Sequence, residues 1–170
     1  MGPESAIESD EIERRVVTVL DALGIPYELH RIDPAFADTA AFCEKYGSSP
    51  DHAANTIIVA SKKEPKQYAA CVVKATRRLD GNHTVRRLMN AARISFASAE
   101  ETRELTGMMI GGVTVLALPA ELPIYVDDTL MDLTWIILGG GSRSLKIKTS
   151  PEVFRKLPGA TVIAGLSNPI

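Results

Sequence analysis

Two glycine clusters, with the polar residues beside them, are where this chain is best equipped for chemistry. Gly111 and Gly112 open the run GGVTVLAL, and Gly139, Gly140 and Gly141 precede Ser142 and Arg143 in GGGSRSLKIK. Glycine admits φ > 0 and lets main chain approach a ligand with no Cβ in the way. Two such loops beside short apolar runs can line a groove with backbone N–H groups. The simpler account of the same glycines is tight turns between strands. A hydroxyl and a guanidinium next to three glycines suit a phosphate or a carboxylate, although Arg143 can equally pair with an acidic side chain.

The other reactive residue types are sparse. Cys43 and Cys71 lie in different segments without CxxC spacing, so they read as reduced, buried thiols rather than zinc ligands or a disulfide. His30 falls on the strand face opposite Tyr27, where it serves either as a hydrogen-bonding partner or proton relay, or as a structural histidine. His52 and His83 sit in polar loop contexts, and no histidine pair has metal-ligand spacing, so neither a metal nor a cofactor is expected. Arg77, Arg78, Arg86, Arg87 and Arg93, with only Asp80 among them, form a basic stretch. They can track nucleic-acid phosphates or simply form a solvated face. Lys62, Lys63 and Lys66 read as a soluble turn, and Asp127 and Asp128 as capping residues.

These residues need a scaffold. The spacing of Ile12, Val16, Val19, Leu20 and Leu23 predicts a helix from about Ser9, as N-cap, to Leu23, stopped by Gly24, with residues 1–8 flexible. IPYELHRI alternates as a strand, and a second helix follows Asp38 and ends at Gly47. NTIIVAS and QYAACVVK form a hairpin around KKEPK. Helices are expected from Asn82 to Ala92 and from Ser98 to Thr106, the second with capping-box spacing between Ser98 and Glu101. VTVLAL, LPIYVD, LTWIIL and SLKIK read as strands. They precede a helix opened by Ser150 and Pro151 and stopped by Pro158 and Gly159, and ATVIAG closes as a strand. The pattern is that of one mixed α/β domain on a central, partly barrel-like sheet surrounded by short helices.

With 170 residues, 45% of them hydrophobic, one core is expected, and a net charge of −2 excludes nucleic-acid binding through bulk charge. No apolar run approaches the roughly 20 residues of a membrane span, and the acidic N-terminus is unlike a signal peptide, so the cytoplasm is the expected compartment.

Taken in order, AANTIIVAS, LDG followed by a helix, SAEETRELTGMMIGGVTVL, LPIYVDDTL and GGGSRSLKIKTSPEVFRKL resemble the YbaK/EbsC/ProX family, homologues of the editing domain of bacterial prolyl-tRNA synthetase. The resemblance spans about Leu20 to Ala164. It implies an aminoacyl-tRNA deacylase that acts on the 3′ acceptor end of a misacylated tRNA, with an aminoacyl-tRNA synthetase as a further partner and no membrane. The implied chemistry is substrate-assisted: water attacks the ester, a terminal ribose hydroxyl helps, and backbone N–H groups of Gly111, Gly112, Gly139 and Gly140 hold the oxyanion, with Gly141, Ser142 and Arg143 binding substrate. His30 falls near a family histidine.

The chain departs from the family pattern at several positions. The lysine usual in the AANTIIV strand is Asn55, the serine opening the second glycine loop is Gly139, the aspartate after the next Leu is Lys146, and an aromatic of the first strand is Ile32. Amide for ammonium keeps hydrogen bonding and removes charge. Lys74, on the neighbouring strand, and Lys146 are the candidates to rebuild the cationic rim. Two readings stand at this point: a deacylase of a misacylated tRNA, either tRNA(Pro) carrying Ala or Cys or another mischarged tRNA, or a non-catalytic module that binds an aminoacyl-nucleotide, nucleotide or tRNA end.

Overall fold

The computed structural model describes residues 3–170, with side chains from Asp10 onward. The first helix, α1 (Pro3–Leu23), begins well before the expected Ser9, so Ser9 lies inside it rather than capping it, and the segment expected to be flexible is helical from Pro3. Met1 and Gly2 lie outside the described residues. Ile12, Val16 and Leu20 are buried along one side, and Gly24 stops the helix with φ +70°. Next come β1 (Tyr27–Arg31) and α2 (Thr39–Tyr46), which Gly47 ends in the left-handed region.

The hairpin is present as β2 (Ala54–Ser61) and β3 (Tyr68–Lys74), followed by a short β4 (Arg77–Leu79). The helix expected over Asn82–Ala92 is shorter: a π turn at Gly81–Val85 leads into α3 (Arg86–Leu88). An unexpected strand, β5 (Ile94–Phe96), precedes α4 (Ala99–Thr106), whose capping box forms with Ser98 and Glu101 as expected. VTVLAL is not a strand. Thr114 accepts a hydrogen bond from the Leu116 N–H and turns Val115–Ala117 into a 3₁₀ helix.

Then follow β6 (Ile124–Asp127), β7 (Ile136–Gly139), β8 (Leu145–Thr149), α5 (Val153–Lys156), β9 (Ala160–Ile163) and β10 (Ser167–Pro169). Ser150 and Pro151 form the turn before α5 and are not its first residues; Ser150 Oγ accepts from the Glu152 N–H.

One sheet has the order β5-β2-β3-β6-β9, antiparallel at β2 and parallel on both sides of β6; a second has the order β1-β8-β7. A parallel bridge between Ala53 and Ile137 ties the two together. Between them lies the main core, where Ile58, Val72, Ile124 and Val126 of one sheet meet Leu138 and Ile147 of the other under α1. The expected mixed α/β architecture, a mixed sheet with short helices around it, is present. Beyond the Ala53 bridge β2 and β7 separate, and that separation makes room for a site.

Candidate active site

The hydrogen-bond parity of β2 sets the chemistry of the gap. Ala75 N–H donates to Ala53 O (3.0 Å) and Ser61 N–H to Gln67 O (2.8 Å), so odd-numbered residues of β2 bond to β3. Even-numbered ones face the other edge, where Ala97 N–H reaches Ile58 O at 2.9 Å. β5 extends no further, pairing only with Val59 to Ser61. The peptide group of Thr56 is therefore left at an open strand edge, over a cavity of about 370 Å³. Ala54, Ile58, Ala97 and Val113 give this cavity apolar walls, Asp38, Asn55, Thr56, Gly111, Gly139 and Lys146 supply its polar groups, and Phe96 and Ile110 also line it.

Lys146 is the unusual group here. It is 6% exposed, and its Nζ donates to Ala37 O at 2.7 Å and Gly111 O at 3.0 Å. Its Nζ also stands 5.5 Å from the centre of the Phe42 ring. Burial pushes the ammonium down to about 8 from 10.5; the Asp38 carboxylate opposes this shift and the Arg143 charge adds to it. An ammonium has three protons, so two carbonyls leave one for a ligand. Asn55, where the family lysine was expected, accepts from Thr39 Oγ1 at 2.6 Å and lines the same cavity.

The two glycine loops do not flank an open groove between them. They touch each other. Gly141 N–H donates to Gly112 O at 2.8 Å, a Cβ on Gly112 would lie 2.6 Å from the Ser142 carbonyl carbon, and one on Gly139 would lie 2.5 Å from Val113 O. Gly112 N–H is bonded to Met109 O and Gly140 N–H to Leu145 O, so the N–H groups of Gly112, Gly140 and Gly141 serve the fold rather than an oxyanion. Gly111 and Val113 line the cavity, and neither N–H donates to another backbone group outside the regular elements. The open space lies beside the joined loops, along β2.

Several other expected site residues are also redirected. Ser142 is buried, and its Oγ donates to Glu13 at 2.6 Å. Glu13 in turn holds Arg31 through both carboxylate oxygens, at 2.8 and 2.7 Å. Burial raises the Glu13 pKa, but the bonds from Arg31 and Ser142 outweigh it and leave the group below its ordinary value. Arg143 donates to Ile110 O (2.6 Å), Pro34 O (3.1 Å) and Asp38 (3.2 Å), clipping the first glycine loop to the segment before α2. Lys74 pairs with Ala54 from β3, across β2 from the open edge, and does not line the cavity. His30 is about half exposed beside Glu28 (3.8 Å) and borders a different cleft.

Three polar contributors escaped the sequence reading. Asp38 registers in the sequence only as a helix start, Thr56 as a residue of the NTIIVAS strand, and Glu13 only as a position within the first helix. Only Glu13 carried a signal, since it lies three and seven positions before the buried Val16 and Leu20. The Thr56 hydroxyl is buried without a hydrogen-bond partner, and a polar atom left so in a cavity wall is available to a ligand or water.

The family model for the aminoacyl-tRNA editing domain matches residues 33–157, which include every group lining this cavity. The chain belongs to that family. The editing domain is also similar in fold to solved structures. One is of a protein proposed to be a trans-editing enzyme for prolyl-tRNA synthetase, at 23% identity over 99% of each chain with a TM-score of 0.77. A second is of a hypothetical protein, APE2540, at 28% identity over 91% of this chain and 99% of that one, with a TM-score of 0.79. A third, described as a computationally designed epitope scaffold, has 21% identity and a TM-score of 0.75. Within the editing domain, Lys146 brings an ammonium to the cavity that Asn55 also lines.

Proposed function

We propose that this protein is an aminoacyl-tRNA deacylase that edits in trans, cleaving the ester between a wrongly attached amino acid and the 3′-terminal ribose. The observation that carries the reading is the buried Lys146 ammonium, held by two carbonyls with one proton to spare, in a cavity lined by Gly111, Val113 and the open edge at Thr56. In this pose water adds to the ester carbonyl carbon. The N–H groups of Gly111 and Val113 hold the oxyanion, and one preorganised donor is worth roughly 3 to 4 kcal/mol. The C–O bond to ribose then breaks, the ribose oxygen takes the proton, and a free amino acid and a tRNA with its hydroxyl restored leave. The neighbouring ribose hydroxyl relays the proton, so no side-chain nucleophile is needed.

Lys146 supplies the fixed charge, and Asp38 is the carboxylate that faces the substrate's α-ammonium. Walls of Ala54, Ala97 and Val113 suit a small uncharged side chain, and alanine or cysteine on tRNA(Pro) are the first candidates. Pocket volume discriminates weakly, roughly 1 to 3 kcal/mol per methylene, so more than one amino acid is expected to be removed. The partners in this reading are misacylated tRNA and an aminoacyl-tRNA synthetase, the latter supported by the trans-editing description of a structural neighbour. Among the described residues no helix is long and apolar enough to cross a membrane, and the cytoplasm is where the substrate is made.

A second reading, binding without turnover, is favoured by the commitment of the Gly112, Gly140 and Gly141 N–H groups to the fold. The two separate in one assay. Release of amino acid from mischarged tRNA supports the deacylase, and tight binding of the same tRNA with its ester left intact supports the module.

A further inference from the structure

The cleft that His30 borders has no part in the ester chemistry. Glu28 and Lys148 stand directly opposite one another across β1 and β8, His30 is two residues beyond Glu28, and Ile137 is opposite Lys148 on β7. Strand alternation puts these four side chains on one face of the second sheet, together with Ile32. α2 packs on that face through Phe42, which shares an apolar cluster with Ile32 and Ile137, and the Tyr46 ring follows one turn later, 5.4 Å from the Phe42 ring. The result is a cleft of about 260 Å³ with an apolar floor of Ile32, Phe42 and Ile137 and a polar rim that includes His30, Tyr46 and Lys148.

The rim is incompletely bonded. Lys148 Nζ lies 3.9 Å and His30 Nε2 3.8 Å from Glu28 Oε2, both beyond hydrogen-bond length. Lys148 otherwise faces the Trp135 ring, 4.6 Å from its centre. Tyr46 Oη accepts the Asp33 N–H at 2.9 Å, which leaves its own proton to donate. The cleft thus offers an ammonium, a hydroxyl and a nearby carboxylate above an apolar floor. A purely anionic ligand would meet repulsion from Glu28, and a purely apolar one would leave both charges unused. A ligand with a carboxylate and an ammonium on one carbon, beside an apolar side chain, satisfies all of them. The volume falls below the roughly 300 to 1,000 Å³ of sites for drug-sized ligands, so it has room for an amino acid and not for a nucleotide.

We propose that this cleft is a second site, which binds a free α-amino acid with an apolar side chain: its carboxylate on Lys148 and Tyr46, its ammonium on Glu28, and its side chain against Ile32, Phe42 and Ile137. The site stands apart from ester cleavage but adjoins the cavity, since the Phe42 ring lines the cleft and its centre is 5.5 Å from Lys146 Nζ. A bound amino acid therefore touches the ring that packs against Lys146.

Trp135 is the single tryptophan of the chain and lines this cleft, so its fluorescence reports on it. The test titrates wild type, Lys148→Met, Glu28→Gln and Lys146→Met proteins with free proline, valine and leucine, and with N-acetyl-leucine and leucinamide. Equilibrium dialysis of labelled amino acid in parallel registers binding that leaves the emission unchanged. At least one free amino acid is expected to saturate wild type, with half-saturation on the order of 1 mM. The acetylated and amide forms, and the Lys148→Met and Glu28→Gln proteins, are expected to bind about 10-fold more weakly, and Lys146→Met to bind as wild type does. Absence of binding by dialysis, or full affinity in both Lys148→Met and Glu28→Gln, overturns the site. Equal affinity for N-acetyl-leucine overturns the recognition of the ammonium, and binding lost only in Lys146→Met places the amino acid in the other cavity and overturns the site as well. No ester enters the experiment, so its failure and that of the deacylase reading are separate results.

Discussion

Lys146 carries the largest share of the functional account at the scale of single residues, and its protonation gives a signed prediction. The ammonium is held down to about 8 by burial, so deacylation corrected for spontaneous hydrolysis should fall as pH rises through that value. Lys146→Arg, which stays charged, should flatten the fall in a pH–rate profile. The same shift bears on stability. Between pH 8 and 10.5 the unfolded chain holds more protons on this lysine than the folded one does, so its contribution to stability rises with pH. Wild type should therefore gain on Lys146→Met by about 1 kcal/mol from pH 8 to pH 9, measured by urea unfolding at each pH. Gly141 has φ +96°, and a Cβ there would lie 2.5 Å from Ile12 Cγ2. Gly141→Ala should cost roughly 1 to 3 kcal/mol in the same measurement, because the glycine serves loop packing.

The decisive element is the open edge of β2, and its effect depends on where β5 stops. Residues 94–96 pair with Ser61 to Val59, and α4 begins soon after, its N-terminus set by the Ser98 and Glu101 capping box. Ser98→Ala should destabilise the fold by about 1 kcal/mol. It should also loosen the segment bearing Phe96 and Ala97, seen as faster amide exchange at Ala97. Elements with a strong local pattern were legible in the sequence: α1 from its apolar stripe, the β2–β3 hairpin from its β-branched runs, and α4 from its capping box. VTVLAL was misread because a buried 3₁₀ turn under a Thr114 cap has the same apolar composition as a strand. β5 and β10 are three residues each, too short to show alternation. The site was only half legible. The glycine loops stood out, but their mutual contact and the choice of Lys146 over Lys74 depend on strand register, which side-chain pattern alone does not set for a strand apolar on both faces.

At the scale of the whole molecule, two separately built sheets meet at one bridge and part again, and ion pairs and loop clips hold the parted ends in place. Glu13 joins α1 to β1 through Arg31 and to the second glycine loop through Ser142, and Arg143 joins that loop to the segment before α2. Because the Glu13 pKa is lowered in the folded protein, the stability it adds is present above its ordinary value and lost as pH falls through the folded one. Glu13→Gln should therefore destabilise by roughly 1 to 3 kcal/mol at pH 7 and by progressively less toward pH 3. A cavity held open in this way, with one buried cation, is the central claim. The most direct test is release of amino acid from alanyl-, cysteinyl-, seryl- and prolyl-tRNA(Pro) by wild type, Lys146→Met and Lys74→Ala proteins. The account predicts turnover of at least one mischarged species, reduced 10-fold or more by Lys146→Met, an effect of about 1.4 kcal/mol, and unchanged by Lys74→Ala. Intact esters on every tRNA, or full activity in Lys146→Met, would contradict it.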